Sequence, residues 1–154
     1  MKIGVPKEIK SQENRIGLTP ESVKILTSNG NEVLVENNGG FEAGFYNEQY
    51  KSAGAKILDK AEDIFDDAEI IVKVKEPQPS EVKMIKENQI VFTYLHLAAA
   101  KELTKGLEDS KSVCIAYETV TDNNGRLPLL APMSAVAGRM SVQAGAHCLE
   151  KNQK

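Results

Sequence analysis

Short apolar runs alternate with helix-like segments along the whole chain of 154 residues. The runs that have the length and composition of strands are residues 1–5, 32–36, 69–74, 90–95 and 112–116. Apolar strands separated by helices are typical of a mostly parallel sheet that is covered on both faces. The sequence therefore predicts a three-layer α/β fold of the Rossmann or flavodoxin type, which ends in a long helix.

Polar residues follow the predicted strands at the points where the strands end. They are Arg15 after the first run, Lys75 after the third, His96 after the next and Glu118 after the last. The carboxyl ends of parallel strands lie at one edge of a sheet, where open α/β folds bind ligands. Arginine binds carboxylates with two parallel hydrogen bonds, and histidine exchanges protons near neutral pH. These residues predict a site for a small anion.

Each of these residues also has a purely structural interpretation. Arg15 and Lys75 are ordinary solvated cations in one view, and Glu118 pairs with a nearby lysine. His96, between Leu95 and Leu97, is equally interpretable as a hydrogen-bonded core histidine. An Ala-rich helix is expected to start at Ala98. The glycine-rich residues 37–45 lack the spacing of phosphate-binding loops and are expected to form turns.

Net charge, hydropathy and cysteine content indicate which classes of partner and compartment to expect. The net charge is -3 with both signs interspersed, which argues against nucleic acid as a partner. No apolar run is long enough to cross a membrane, and no signal-peptide pattern starts the chain. Cys114 and Cys148 are expected to be buried, reduced thiols, and no Cys/His group has metal-ligand spacing. A cytoplasmic protein without a metal site is expected.

Several motifs in a fixed order give the chain a family resemblance. They include Glu13-Asn14-Arg15-Ile16-Gly17-Leu18-Thr19-Pro20, Lys75-Glu76-Pro77, Leu95-His96-Leu97, and residues 3–8, 43–45, 117–119 and 130–134. With these motifs the chain resembles the N-terminal part of bacterial alanine dehydrogenases and, less closely, the related nicotinamide nucleotide transhydrogenase domain. The presence of Lys75 and His96 favours the alanine dehydrogenases.

The resemblance implies a reaction and residue roles. The reaction is oxidation of L-alanine by NAD to pyruvate and ammonia. By resemblance, Arg15 and Lys75 bind the substrate, His96 is the acid/base, Met133 lines the substrate pocket and Ser134 contacts the nicotinamide nucleotide.

The resemblance also implies a domain organisation. Residues 1–131 would form the substrate-binding domain and residues 132–154 the start of a long interdomain helix. The NAD-binding Rossmann domain, with its G-x-G-x-x-G motif, has no counterpart here. The chain is expected to be inactive alone, and a homo-oligomer is expected. Two alternatives are an NAD(P) transhydrogenase-like domain and a non-enzymatic ligand-binding or interaction module.

Overall fold

The computed structural model describes residues 1–151 in two compact units. The first unit is Met1–Ala116, and the second begins at Tyr117. The domain boundary predicted after residue 131 stays a prediction.

The first unit is built on a six-stranded sheet in which every neighbouring pair of strands is parallel. The strands are β1 (Lys2–Val5), β2 (Glu32–Glu36), β3 (Lys56–Leu58), β4 (Ile70–Val72), β5 (Ile90–Thr93) and β6 (Val113–Ala116). Their spatial order is β3-β2-β1-β4-β5-β6. The prediction of a parallel α/β fold is confirmed.

This strand order contains one topological switch point. The chain moves outward from β1 to β3, returns to pair β4 with the other side of β1, and then continues to β6. Ile3 lies opposite Val33 on one side and Ile70 on the other. The loops after β1 and β4 leave the sheet as neighbours and open the crevice in which such folds bind ligands.

Helices cover both faces of the sheet. They are α1 (Pro20–Ser28), α2 (Asn47–Ser52), α3 (Ala61–Asp67), α4 (Pro79–Val82) and α5 (Lys101–Ser110). On one face, Val23 of α1 and Tyr50 of α2 pack with Val33 and Val35. On the other face, Phe65 and Leu107 belong to a second core with Leu34, Ile71 and Val91. Burial on both faces explains why the central strands β1, β2, β4 and β5 are mostly apolar.

Two local predictions were wrong near the candidate site. The helix expected from Ala98 is a 3-10 turn at Leu97–Ala99, and α5 starts only at Lys101 because Ala100 has non-helical backbone angles. The strand expected over residues 69–74 ends at Val72. The glycine-rich segment forms turns, with a 3-10 turn at Phe41–Ala43, as predicted.

The second unit contains a 3-10 turn (Tyr117–Thr119) and the long helix α6 (Ala131–Cys148). None of the residues of α6 is buried. Met133, Val136 and Met140 are all exposed, and so is Cys148, contrary to the expectation of a buried thiol. No helix in residues 1–151 is both long and apolar enough to span a membrane.

Gly4 lets α3 approach the central strand. A Cβ atom at this position would lie 2.6 Å from Ile64 Cγ2 and 2.8 Å from Ala68 Cβ. Real Cβ atoms do not come so close to other atoms, so any larger residue must move α3 away from β1.

We expect Gly4→Ala to lower the free energy of unfolding by about 1–3 kcal/mol through overpacking. Urea denaturation followed by circular dichroism measures this change. Gly138→Ala is the matched control, since a Cβ atom at Gly138 meets nothing within 4 Å. Equal stabilities of the two variants would contradict the packing argument.

Candidate functional site

Three of the predicted site residues follow strands at the switch-point edge of the sheet. Arg15 lies in the loop after β1, Lys75 after β4 and His96 after β5. Since β1, β4 and β5 are neighbours in the parallel sheet, their loops emerge side by side. The topology therefore brings two cations and a histidine to one edge, as the sequence predicted.

Arg15 is held by a carboxylate that the sequence analysis did not consider. Its Nε donates to Glu13 Oε1 at 2.8 Å, and its Nη2 donates to Glu13 Oε2 at 2.7 Å. The backbone N–H of Arg15 also donates to Glu13 Oε1, at 2.9 Å. The side chain of Arg15 is 53% exposed, whereas that of Glu13 is only 7% exposed. Glu13 therefore fixes the guanidinium along its Nε–Nη2 edge, while about half of the Arg15 side chain stays exposed to solvent.

The charges around Glu13 keep its carboxylate ionised. The hydrogen bond from Arg15 is the largest cause that lowers the pKa of Glu13, which falls from 4.5 to about 2. The positive charge of Lys75 lowers the same pKa. In return, the hydrogen bond to Glu13 raises the pKa of Arg15. Glu13, Arg15 and Lys75 thus form one electrostatic cluster.

A second, buried ion cluster links the loop after β1 to the end of β4 and to α4. Lys73 Nζ donates to Glu8 Oε2 at 3.1 Å and to Glu81 Oε1 at 2.8 Å, and the Lys73 side chain is 0% exposed. The second oxygen of each carboxylate accepts backbone N–H groups, from Val74 at 2.6 Å for Glu8 and from Gln78 at 2.7 Å for Glu81. Buried charges need such complete pairing, because an unpaired one costs several kcal/mol.

This buried cluster fixes the backbone that carries Lys75. Glu8, from the loop after β1, accepts the N–H of Lys75 at 3.3 Å as well as that of Val74. Gly17 joins the same two loops, since a Cβ atom there would lie 2.5 Å from the carbonyl oxygen of Val72. The loops that bear Arg15 and Lys75 are therefore attached to each other across the switch point.

His96 has an unusual backbone conformation. Its φ is 51° and its ψ 37°, in the left-handed region, where histidine is one of the few enriched residues. The preceding Leu95 is buried, whereas His96 is exposed, so the core-histidine interpretation is wrong. The imidazole stacks on Tyr94, with ring centroids 6.1 Å apart and planes at 16°. The turn therefore projects an imidazole out of the sheet edge.

Glu76 adds a further carboxylate beside Lys75. Burial is the largest single influence and raises the pKa of Glu76, but the hydrogen bond from Lys10, a backbone hydrogen bond and the charge of Lys10 act together against it, and the pKa is lowered overall. The charge of His96 acts on it in the same direction. Within residues 1–151, Glu76 Oε2 is a buried oxygen with no hydrogen-bond partner.

The other predicted site residues belong to the second unit. Glu118 lies in the 3-10 turn, and Met133 and Ser134 lie in the first turn of α6. Met133 is 37% exposed, and Ser134 Oγ donates to the carbonyl of Leu130 at 3.2 Å. Their roles toward substrate and nucleotide stay predictions. No metal-binding group of three or more His, Cys, Asp or Glu residues occurs among the described residues.

Sequence reasoning missed Glu13 and the buried cluster of Glu8, Lys73 and Glu81. One signal was available, because Lys73 interrupts the apolar run between Val72 and Val74. A lysine inside a strand that is buried on both faces requires partners of opposite charge. The sequence does not say which of the many glutamates supply them.

Comparison with known proteins identifies the family of the chain. The family model described as alanine dehydrogenase/PNT, N-terminal domain, matches residues 4–137. The chain belongs to this family.

Similar proteins cover the chain almost completely. An alanine dehydrogenase of Halomonas elongata is 56% identical over 99% of the chain, and one of Bacillus subtilis is 54% identical over 98%. A solved structure of an L-alanine dehydrogenase matches 99% of the chain with a TM-score of 0.93 and 52% identity. A transhydrogenase from Sinorhizobium meliloti is more distant, with a TM-score of 0.75 and 25% identity over 80% of the chain.

The match covers a minor part of these relatives. The chain spans 41% of the Halomonas protein, 39% of the Bacillus protein and 42% of the L-alanine dehydrogenase structure. The comparisons therefore concern the N-terminal part of the family members.

We expect Lys73→Met to lower the free energy of unfolding by about 3–5 kcal/mol, because it leaves the carboxylates of Glu8 and Glu81 buried without a cation. Urea denaturation at neutral pH measures the loss. Lys86→Met is the matched control, since Lys86 pairs with Asp66 at the surface, where the two side chains are 49% and 70% exposed. That pair is worth about 0–1 kcal/mol. A similar cost for both variants would refute the importance of the buried cluster.

Glu13 is expected to titrate near pH 2 in the folded chain, against a usual pKa of 4.5. Because the folded pKa is depressed, its contribution to stability is present above pH 4.5 and is lost as the pH falls through about 2. Carbon-13 NMR of the side-chain carboxyl group measures the midpoint. Arg15→Gln should move the midpoint back toward 4.5. A wild-type midpoint already near 4.5 would show that the ion pair does not persist in solution.

Proposed function

We propose that the chain is the substrate-binding part of an NAD-dependent L-alanine dehydrogenase. The observation that carries the proposal is the pair of cations, Arg15 and Lys75, which follow neighbouring strands at the switch point together with His96. Relatives that are 52–56% identical over nearly the whole chain are named alanine dehydrogenases, which supports the same reaction. The proposed enzyme is a cytoplasmic homo-oligomer that acts on a small molecule.

In this proposal, the overall reaction converts L-alanine, NAD⁺ and water to pyruvate, ammonium, NADH and a proton. Arg15 binds the substrate carboxylate through its exposed guanidinium edge. Lys75 donates to the carbonyl oxygen of pyruvate and stabilises negative charge that develops there. His96 takes and returns the protons of the hydroxyl and amine groups as water adds and ammonia leaves. Anchoring the carboxylate holds the reacting carbon in one pose.

The first unit does not fit the cofactor at its switch point. In nucleotide-binding sheets the first strand ends in a glycine-rich turn that admits the pyrophosphate. Here β1 is followed by Pro6-Lys7-Glu8, and the Glu8 carboxylate crosses to the β4 side of the crevice to accept the backbone N–H of Val74. A carboxylate there repels phosphate. NAD supplies the hydride acceptor when bound, and Ser134 is the residue of this chain proposed to contact it; the rest of the nucleotide site would come from outside the first unit.

A transhydrogenase-like domain is the second candidate. The structural match to a transhydrogenase supports it, but at 25% identity against 52% for the L-alanine dehydrogenase. A non-enzymatic interaction module is the third, and the exposed apolar residues of α6, such as Val136 and Met140, support it. A purely interacting module does not require Arg15, Lys75 and His96 to gather at one edge, whereas a non-enzymatic ligand-binding module would use the two cations without proton transfer by His96.

The test is a pyruvate titration of the 154-residue chain by NMR. We expect saturable shifts of the amides around Arg15, Lys75 and His96, which His96→Ala weakens. His147→Ala is the matched control, because it removes the second histidine, which lies exposed in α6. The chain alone should form no NADH from L-alanine and NAD.

Three results would oppose the proposal. Absence of a pyruvate response, with or without NADH, would refute a preformed substrate site. Binding of NADH without pyruvate would favour the transhydrogenase-like function. Sustained alanine-dependent NADH formation by the chain alone would refute the assignment of the nucleotide site to another part of the enzyme.

A further inference from the structure

The guanidinium of Arg15 has two edges that can each bind a carboxylate with two hydrogen bonds. One edge consists of Nε and Nη2, and the other consists of Nη1 and Nη2. Glu13 occupies the first edge, through its contacts of 2.8 Å with Nε and 2.7 Å with Nη2. The position of Glu13 thus decides which edge of Arg15 is available to a ligand.

Glu13 is anchored, so that a ligand does not displace it easily. Its Oε1 accepts both the Nε and the backbone N–H of Arg15, and its side chain is only 7% exposed. An incoming carboxylate has to break three hydrogen bonds to take its place, whereas the Nη1 edge belongs to a side chain that is 53% exposed. Binding beside Glu13 therefore costs less than exchange with it.

Glu13 also changes the charge that a ligand meets. Arg15 and Lys75 carry two positive charges, and Glu13, which is ionised at neutral pH, removes one of them. The buried cluster of Lys73 with Glu8 and Glu81 carries one excess negative charge, and the pair of Lys10 with Glu76 is neutral, so neither adds positive charge. The cluster of Glu13, Arg15 and Lys75 therefore offers a net charge of +1, which matches a monocarboxylate better than a dicarboxylate.

We propose that Glu13 is a specificity-determining residue: it holds Arg15 by the Nε edge, leaves the Nη1 edge for the ligand, and selects monoanionic over dianionic keto acids by lowering the charge of the site. The proposal rests on the proposed function, because it takes Arg15 and Lys75 as the residues that bind the substrate. Glu13 acts through Arg15 and through charge, without touching the reacting atoms.

The experiment compares pyruvate with 2-oxoglutarate as NMR titrants of the 154-residue chain. In Glu13→Gln, we expect the ratio of the two dissociation constants to shift toward 2-oxoglutarate by about three- to tenfold, the effect of one charge a few ångströms away in a largely aqueous site. Glu108→Gln removes the same charge from an exposed position near the end of α5 and should leave the ratio unchanged. An unchanged ratio in Glu13→Gln would overturn the proposal.

A second measurement keeps the inference separate from the proposed function. The Nε–H signal of Arg15 should be shifted downfield and protected from exchange in the wild type and in Glu108→Gln, but not in Glu13→Gln. If neither keto acid binds the wild-type chain, the proposed function fails. In that case an Arg15 signal that is identical in all three proteins overturns the hold of Glu13 on the Nε edge as well, whereas loss of protection in Glu13→Gln alone supports that hold and limits the failure to the ligand.

Discussion

The structure depends on the requirement that the buried charge of Lys73 be compensated. Its ammonium group is fully buried at the end of a strand in the middle of the sheet. Glu8 from the loop after β1 and Glu81 from α4 supply the compensation, at 3.1 and 2.8 Å. Because an uncompensated buried charge costs several kcal/mol, these ion pairs help to hold both segments at the switch point. The ion cluster thus lies after β1, where the first strand of a nucleotide-binding sheet has its glycine-rich turn.

The buried cluster also explains how an exposed site can be well ordered. Arg15, Lys75 and His96 lie on loops, which are the most mobile parts of most folds. Here Glu8 holds the backbone at Lys75, Glu13 holds the Arg15 guanidinium, and the left-handed turn at His96 follows the buried Leu95. Two of these three contacts come from buried residues, Glu8 and Leu95, and Glu13 is partly buried. This arrangement fits a site that binds a small anion in one orientation.

The second unit contains a long helix whose apolar residues are exposed. The helix α6 has 18 residues and buries none of them, although it carries Val136, Met140 and Val142. A helix with so much exposed apolar surface gains little stability by itself. The homologous proteins are more than twice as long as this chain, so the same helix has further polypeptide available for packing in those proteins.

The sequence alone predicts the fold class, because apolar runs that alternate with helix signals are consistent with a parallel sheet that is covered on both faces. It also determined the edge at which Arg15, Lys75 and His96 gather, since strand ends in such a sheet point the same way. The ion-pair partners of the charged residues follow only from the three-dimensional fold. Glu13 pairs with its near neighbour Arg15, whereas Glu8 reaches Lys73 across 65 positions of sequence, and nothing local distinguishes either from the other glutamates. Ion pairs depend on which residues the fold brings close together, and the periodicity of apolar residues along the chain does not predict them.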